Sequence, residues 1–216
     1  MNSRAILVSD DRSSLRSPDT LLWPDAACMR GIHTGEWTAH IFEYAMSFEG
    51  NMTQVRELAA ANGVGVLHPH GALATDPPSL IVCDVDSTVT RTEAIDLLAE
   101  CAGNADEVRE ITARAMVGEL DFTQSLYARV RCLEGLHIGA LEEAWKATVI
   151  TPGTAELVAA AHDVGAAVGL VSGGFTAIVD PLAEQIRADF AASNELEIVD
   201  NHLTGRVVGD IIDRAA

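Results

Sequence analysis

The sequence has few basic residues for its length. Its 216 residues include 14 Lys and Arg against 32 Asp and Glu, a formal net charge of −18. Such a charge repels nucleic acid and anionic membranes unless a local basic patch reverses the field, and we find no such patch. We therefore expect no nucleic-acid or membrane partner. An anionic ligand would need a few placed cations, a metal ion, or backbone amides at a helix start.

Long apolar runs and closely spaced cysteine pairs are also absent. No uncharged apolar stretch is long enough to span a bilayer, and residues 5–8 form too short a run for a secretion signal. The cysteines show no C-x-x-C spacing, and three lie in apolar patterns, where Cys acts as a small hydrophobic residue. We therefore predict a globular, cytoplasmic protein with buried thiols at Cys28, Cys83, Cys101 and Cys132.

Residues 1–78 carry little recognisable chemistry. Apolar and aromatic residues between Glu36 and Phe48 recur near helical spacing, which predicts a helix there. Residues 54–61 predict a second short helix, ended by Asn62 and Gly63. The Pro-containing stretch 74–79 is typical of a linker, so residues 1–78 form an N-terminal segment of unknown role.

Two acids follow an apolar run in the middle of the chain. Residues 80–83 are continuously apolar, typical of a central parallel strand covered on both faces. Asp84 and Asp86 come next, and side chains at i and i+2 lie on one side of an extended backbone. They can act together on one substrate. Alternatively they cap the next helix or bind a structural cation.

Residues 92–150 predict four consecutive helices, the first three ended by glycine. In the third, predicted over residues 122–133, Arg129 lies on an apolar stripe with Leu126 and Val130. Its stem packs while its head reaches solvent or a helix acid, or its guanidinium points into a closed site to bind carboxylate or phosphate. The spacing leaves both interpretations open.

A second apolar run, residues 166–171, ends at Ser172-Gly173-Gly174 and precedes a helix over 176–186. A strand, glycine-rich turn and helix can bring backbone amides to a phosphate, although most such turns are only tight turns. A third strand at 188–191 and a hairpin between 195 and 208 follow. This order predicts an α/β fold with a parallel, Rossmann-like sheet: a core of residues 79–91 and 151–216, and a helical cap of residues 92–150. Both motifs then fall at the carboxyl ends of strands, where ligands bind.

These motifs together resemble the haloacid-dehalogenase-like phosphatases, and within them the phosphoserine phosphatases. The match runs in order from about Leu80 to Asp213. The segments that carry it are Asp84-Val85-Asp86-Ser87-Thr88, Glu93, Arg114–Phe122 with Met116, Arg129, Ser172-Gly173-Gly174-Phe175, Asn194–Ile198 and Leu203-Thr204-Gly205.

The resemblance implies Mg²⁺-dependent hydrolysis of O-phospho-L-serine to serine and phosphate, the last step of serine biosynthesis. It implies that Asp84 is the nucleophile and forms an aspartyl-phosphate. Asp86 would be the general acid and base, which requires a pKa raised by its neighbours. Mg²⁺ would be held by Asp84, by the backbone carbonyl of Asp86 and by further carboxylates.

The same resemblance assigns the groups that bind the substrate. Glu93 would meet its amine and Arg129 its carboxylate, which suits an amino acid better than a sugar or nucleotide phosphate. The remaining substrate contacts implied are Ser172 and the Gly173 backbone at the phosphate, and Met116 and Phe122 in the cap.

The resemblance also implies parts that lie beyond Ala216: a phosphate-binding lysine, a Gly-Asp-Gly stretch and an Asn-Asp pair. We therefore expect a core that is incomplete at the C-terminus, with weak or no activity and an exposed sheet edge open to self-association. Two alternatives stay open: a fragment that binds phosphoserine without turnover, and a phosphatase for another small phosphomonoester, which Glu93 with Arg129 disfavours.

Overall fold

The computed structural model describes residues 3–9, 27–33, 38–44, 52–67, 69 and 71–213. The chain divides into two compact units, Met1–Pro77 and Pro78–Ala216. None of the helices in these described ranges is long and apolar enough to cross a membrane.

Among the described residues, the first unit contains a four-stranded antiparallel sheet in the order β2-β3-β1-β4 and one α-helix. Its elements are β1 Ser3–Ser9, β2 Ala27–His33, β3 Thr38–Tyr44, α1 Met52–Ala61 and β4 Gly65–Leu67.

The two helix predictions in this unit have different outcomes. The helix predicted between Glu36 and Phe48 is wrong, because Thr38–Tyr44 is a strand that pairs with β1 on one side and β2 on the other. Pairing across the sheet overrides the helical spacing seen in the sequence. The short helix is confirmed, and the chain turns after it at Gly63, whose φ is +69°.

The second unit contains a mixed sheet in the order β5-β6-β7-β8, parallel except for the antiparallel pair β7 and β8. This confirms the predicted α/β fold with a mostly parallel sheet. Its strands are β5 Leu80–Cys83, β6 Ala167–Phe175, β7 Phe190–Val199 and β8 His202–Val208. Its helices are α2 Ala94–Ala102, α3 Ala105–Met116, α4 Phe122–Arg131, α5 Gly139–Ala147, α6 Thr154–Asp163 and α7 Thr176–Ile186.

Strand β5 lies at an edge of the described sheet. Its apolar run predicted a central strand, whereas the resemblance predicted an exposed sheet edge. Strand β5 pairs with β6 alone among the described strands, and Leu80 and Val82 are 50% and 51% exposed. The predicted strand at 188–191 and the first arm of the hairpin are one continuous strand, β7.

Two apolar clusters hold this unit together. One joins the sheet to α6 and α7 and includes Val85 and Val89 beside the predicted site. The other joins helices α2–α5 to residues of the core, among them Phe175 and Leu203. The helical segment therefore shares a core with the sheet instead of packing as a separate body.

The thiols are buried less uniformly than predicted. Cys132 is buried and Cys83 is partly buried, whereas Cys101 is exposed on α2, so the prediction is wrong for Cys101. The side chain of Cys28 lies outside the described residues.

Candidate active site

The turn after β5 carries the two acids. Val85 and Val89 are 1% and 5% exposed and anchor the turn in the core. The backbone N–H of Thr90 donates to the Val85 carbonyl at 2.9 Å, which closes the turn. Anchored at these points, the turn holds the residues between them beyond the end of the strand.

Asp84 and Asp86 have different surroundings within this turn. Asp84 is exposed, and its Oδ2 accepts a hydrogen bond from Thr88 Oγ1 at 3.1 Å. Asp86 is partly buried; its Oδ1 accepts from the Ala94 backbone N–H at 2.9 Å and its Oδ2 from Ser172 Oγ at 3.3 Å. Burial raises the pKa of Asp86 above its ordinary value, the nearby Glu93 and Asp84 charges add to the increase, and the two hydrogen bonds oppose it.

Residues 172–174 approach Asp86 from β6. In the structure β6 continues to Phe175, so residues 172–174, which were predicted to form a glycine-rich turn, belong to the strand. Ser172 is 2% exposed and its Oγ accepts from the Gly174 N–H at 2.8 Å. A Cβ on Gly174 would lie 2.5 Å from Asp86 Oδ2, so glycine is needed for this close approach.

Glu93 and Arg129 bring opposite charges to the same place. Glu93 directly precedes α2, and its Oε1 accepts from Ser87 Oγ at 2.5 Å. Arg129 comes from α4, and its Nε donates to the Ser125 carbonyl at 3.3 Å. Burial lowers the pKa of Arg129, and the charges of Glu93, Asp96 and Asp86 oppose that decrease.

A cavity of about 230 Å³ lies between these groups. It is small beside the roughly 300–1,000 Å³ of typical drug-sized sites. The predicted site residues that line it are Asp84, Asp86, Glu93, Phe122, Arg129 and Gly173. Ser172 lies next to it, through its contact with Asp86.

Met116 is not brought to this cavity. It is the last residue of α3, its side chain is 84% exposed, and it does not line the cavity. The helix ends there and a loop leads to α4, so the turn that carries Met116 faces solvent. The predicted contact of Met116 with a ligand is therefore absent from this arrangement.

Comparison with known proteins identifies the family. The family model for haloacid dehalogenase-like hydrolases matches residues 81–216. The chain belongs to this family.

The relatives of this hydrolase include phosphoserine phosphatases. The Streptomyces coelicolor phosphoserine phosphatase is 49% identical over 157 residues, which are 73% of this chain and 38% of that protein. A solved structure of a probable phosphoserine phosphatase from Vibrio cholerae, in unliganded form, matches with a TM-score of 0.73 and 32% identity and covers 97% of this chain and 64% of that one. A phospho-aspartyl intermediate analogue of phosphoserine phosphatase matches with a TM-score of 0.59 and 39% identity over 63% and 66% of the two chains.

This chain spans only part of the length of these phosphoserine phosphatases. It covers from 38% to 63% of the length of the curated phosphoserine phosphatases first matched.

The sequence did not indicate the structural role of Asn194. Its side chain is 1% exposed, its Nδ2 donates to the Gly173 carbonyl at 3.0 Å, and its Oδ1 accepts from the Ile212 N–H at 2.9 Å. It ties the end of β6 to the segment after β8. Asn194 lies between Ser193 and Glu195 in the polar middle of β7, so its sequence position gave no signal that it is buried.

Few basic side chains of the described residues lie at the cavity. Arg129 is the one basic side chain that lines it among the described residues. The sequence has one lysine, Lys146, and this residue lies on α5 in an exposed ion pair with Glu142 at 2.6 Å. Among the described residues, no lysine side chain lines the cavity.

The donor set fits a metal ion that keeps part of its water shell. Among the described residues no three His, Cys, Asp or Glu side chains are placed to share one ion. However, Mg²⁺ is commonly held by one or two carboxylates with waters and substrate phosphate. The one described hydrogen bond to the Asp84 carboxylate is accepted by Oδ2, so Oδ1 is suited to bind such a metal ion.

Proposed function

We propose that this hydrolase cleaves O-phospho-L-serine to serine and phosphate, and so serves the last step of serine biosynthesis. The observation that carries the proposal is a single small cavity lined by a pair of aspartates, a glutamate and an arginine. An amino-acid phosphate carries an ammonium, a carboxylate and a phosphate group. Glu93 and Arg129 match the first two charges, which a sugar phosphate does not offer.

In this proposal Asp84 is the nucleophile. One carboxylate oxygen of Asp84 attacks phosphorus, the bond from phosphorus to the serine oxygen breaks, and that oxygen takes a proton from Asp86. Asp86 then removes a proton from water, which attacks phosphorus and releases phosphate and the free Asp84 carboxylate. The match to a phospho-aspartyl intermediate analogue supports this order of steps.

The raised pKa of Asp86 supports its part in both steps. Burial is the largest cause of the increase, and a carboxyl group that holds its proton longer can donate it to a leaving oxygen. Its hydrogen bonds to Ala94 and Ser172 fix the carboxyl group beside the cavity. Asp84 is exposed and lines the same cavity, where its carboxylate can meet a phosphate group.

The remaining roles follow from position. Ser172 and the Gly173 backbone would bind phosphate oxygens, and Phe122, on the first turn of α4, would cover the ligand from the helical cap. Asp84 and the backbone carbonyl of Asp86 would hold Mg²⁺. When bound, Mg²⁺ offsets the repulsion between phosphate and the nucleophilic carboxylate.

The test measures phosphate release from phosphoserine by the purified chain with Mg²⁺. Asp84→Asn should abolish release, while Asp180→Asn, an equal charge change at an exposed site on α7, should not. Arg129→Ala should weaken phosphoserine binding about 100-fold, whereas Arg131→Ala, an exposed residue on the same helix, should change it less than twofold. Equal rates with a sugar phosphate would contradict the proposed substrate.

A second candidate is phosphoserine binding without turnover. It is favoured by two observations on the described residues: Arg129 is the one basic side chain that lines the cavity, and no three His, Cys, Asp or Glu side chains are placed to share one metal ion. Saturable phosphoserine binding with no phosphate release would support it. We further propose self-association through the β5 edge, and Val82→Lys should shift the sedimentation coefficient toward that of a monomer.

A further inference from the structure

Ser87 has an unusual backbone conformation. Its φ and ψ are +57° and +12°, the left-handed region that glycine adopts freely and other residues adopt at a cost. The other described non-glycine residues with positive φ are Arg187, at the end of α7, and Asp200 and Asn201, in the β7–β8 hairpin turn. Positive φ is ordinary at those two kinds of position.

Ser87 lies beside two residues that line the cavity, Asp86 and Glu93. Ser87 follows Asp86 directly, and its hydroxyl donates to Glu93 Oε1 at 2.5 Å. Glu93 lines the cavity and Ser87 does not. The hydroxyl therefore acts on a ligand only through Glu93.

The contact limits where the Glu93 carboxylate can point. Glu93 directly precedes α2 and its own backbone is extended. A hydrogen bond to a carboxylate is stronger than one between neutral groups, and here it occupies Oε1 and leaves Oε2 for another partner. A side chain with three rotatable bonds would otherwise lose that orientation to other rotamers.

We propose that Ser87 is a positioning residue that orients Glu93 for the ammonium group of the ligand, and that its left-handed backbone conformation places the hydroxyl for this contact. The inference rests on the proposed amino-acid phosphate substrate. It predicts a specificity effect confined to ligands that carry an amine.

Two substitutions separate the hydroxyl from the backbone. Ser87→Ala removes the donor and keeps the strain, whereas Ser87→Gly removes both. If Ser87 only shapes the turn, glycine should serve as well as serine. If the hydroxyl orients Glu93, both variants should lose the same specificity, and the glycine variant should melt at a higher temperature than the alanine variant.

The experiment compares the binding of phosphoserine with that of 3-phosphooxypropionate, which keeps the phosphate and carboxylate and lacks the amine. Both variants should bind phosphoserine about tenfold more weakly and the amine-free ligand within twofold of the unaltered chain. Ser79→Ala, at an exposed serine before β5, is the matched control. In a Glu93→Gln background, Ser87→Ala should have no further effect on phosphoserine.

The outcomes distinguish this inference from the proposed function. Preference for phosphoserine that survives in Ser87→Gly would overturn the inference and leave the proposed substrate intact. An unaltered chain that binds both ligands equally would overturn the proposed substrate together with the inference.

Discussion

Replacing Gly174 with alanine tests the close contact between β6 and the turn after β5. The new Cβ would lie 2.5 Å from Asp86 Oδ2 and 3.0 Å from Ser172 Oγ. Cβ atoms essentially never approach heavy atoms within 3.0 Å, so the Asp86 carboxyl must move at least 0.5 Å. Its Oδ1 is held by the Ala94 N–H, which resists the movement. We expect a loss of about 1–3 kcal/mol in the free energy of unfolding and about 100-fold in kcat.

Gly173→Ala is the matched control, one residue away on the same strand. Its Cβ would meet the Phe122 ring at 2.7 Å, but that ring is 40% exposed and can turn aside. Urea unfolding followed by circular dichroism at 222 nm reports mainly on the second unit, which holds six of the seven described α-helices. If Gly174→Ala unfolds at the same urea concentration as the unaltered chain, or Gly173→Ala is the less stable variant, the inferred contact is wrong.

Three further predictions concern single polar side chains. Asp86→Asn should abolish turnover but stabilise the fold at neutral pH. Because the pKa of Asp86 is raised in the folded state, ionisation of this carboxyl weakens the fold as the pH rises above the ordinary carboxyl pKa. The increase in the free energy of unfolding caused by the substitution, measured by urea unfolding, should therefore shrink toward pH 4. Asn194→Ala should cost about 1–3 kcal/mol in the same assay, because the Gly173 carbonyl and the Ile212 N–H lose their partner; a change below 0.5 kcal/mol would contradict its bridging role. Lys146→Met should leave phosphoserine binding within twofold by calorimetry, and a larger loss would place the only lysine at the site.

The sequence predicted the site better than it predicted the sheet around it. Asp84, Asp86 and Gly173 follow from strand ends, since parallel strands present their carboxyl ends at one edge. An exposed edge at β5 was expected only from the resemblance. The position of β5 did not follow from its own residues, because a four-residue apolar run indicates burial without saying which strands lie beside it. The same limit explains Thr38–Tyr44, where neighbouring strands decided the structure against a local helical spacing.

Contacts across the chain explain what else was missed. Asn194 acts through Gly173 and Ile212, which lie 21 and 18 residues from it. Such partners depend on strand register, which periodicity does not specify. Met116 stays a prediction: the resemblance assigned it to the ligand, and its side chain at the end of α3 is exposed.

Burial shifts the pKa values of two residues that line the cavity, Asp86 and Arg129. Removal from water penalises any charge, so burial raises the pKa of Asp86 and lowers that of Arg129. The resemblance implied that the neighbours of Asp86 raise its pKa; burial is the largest cause of the increase, and the charges of Glu93 and Asp84 add to it. A ligand that brings a carboxylate to Arg129 offsets part of what burial costs that guanidinium. Under the proposed function, a ligand without a carboxylate and an ammonium would leave Arg129 and Glu93 without a charged partner, so the cavity would favour an amino-acid phosphate.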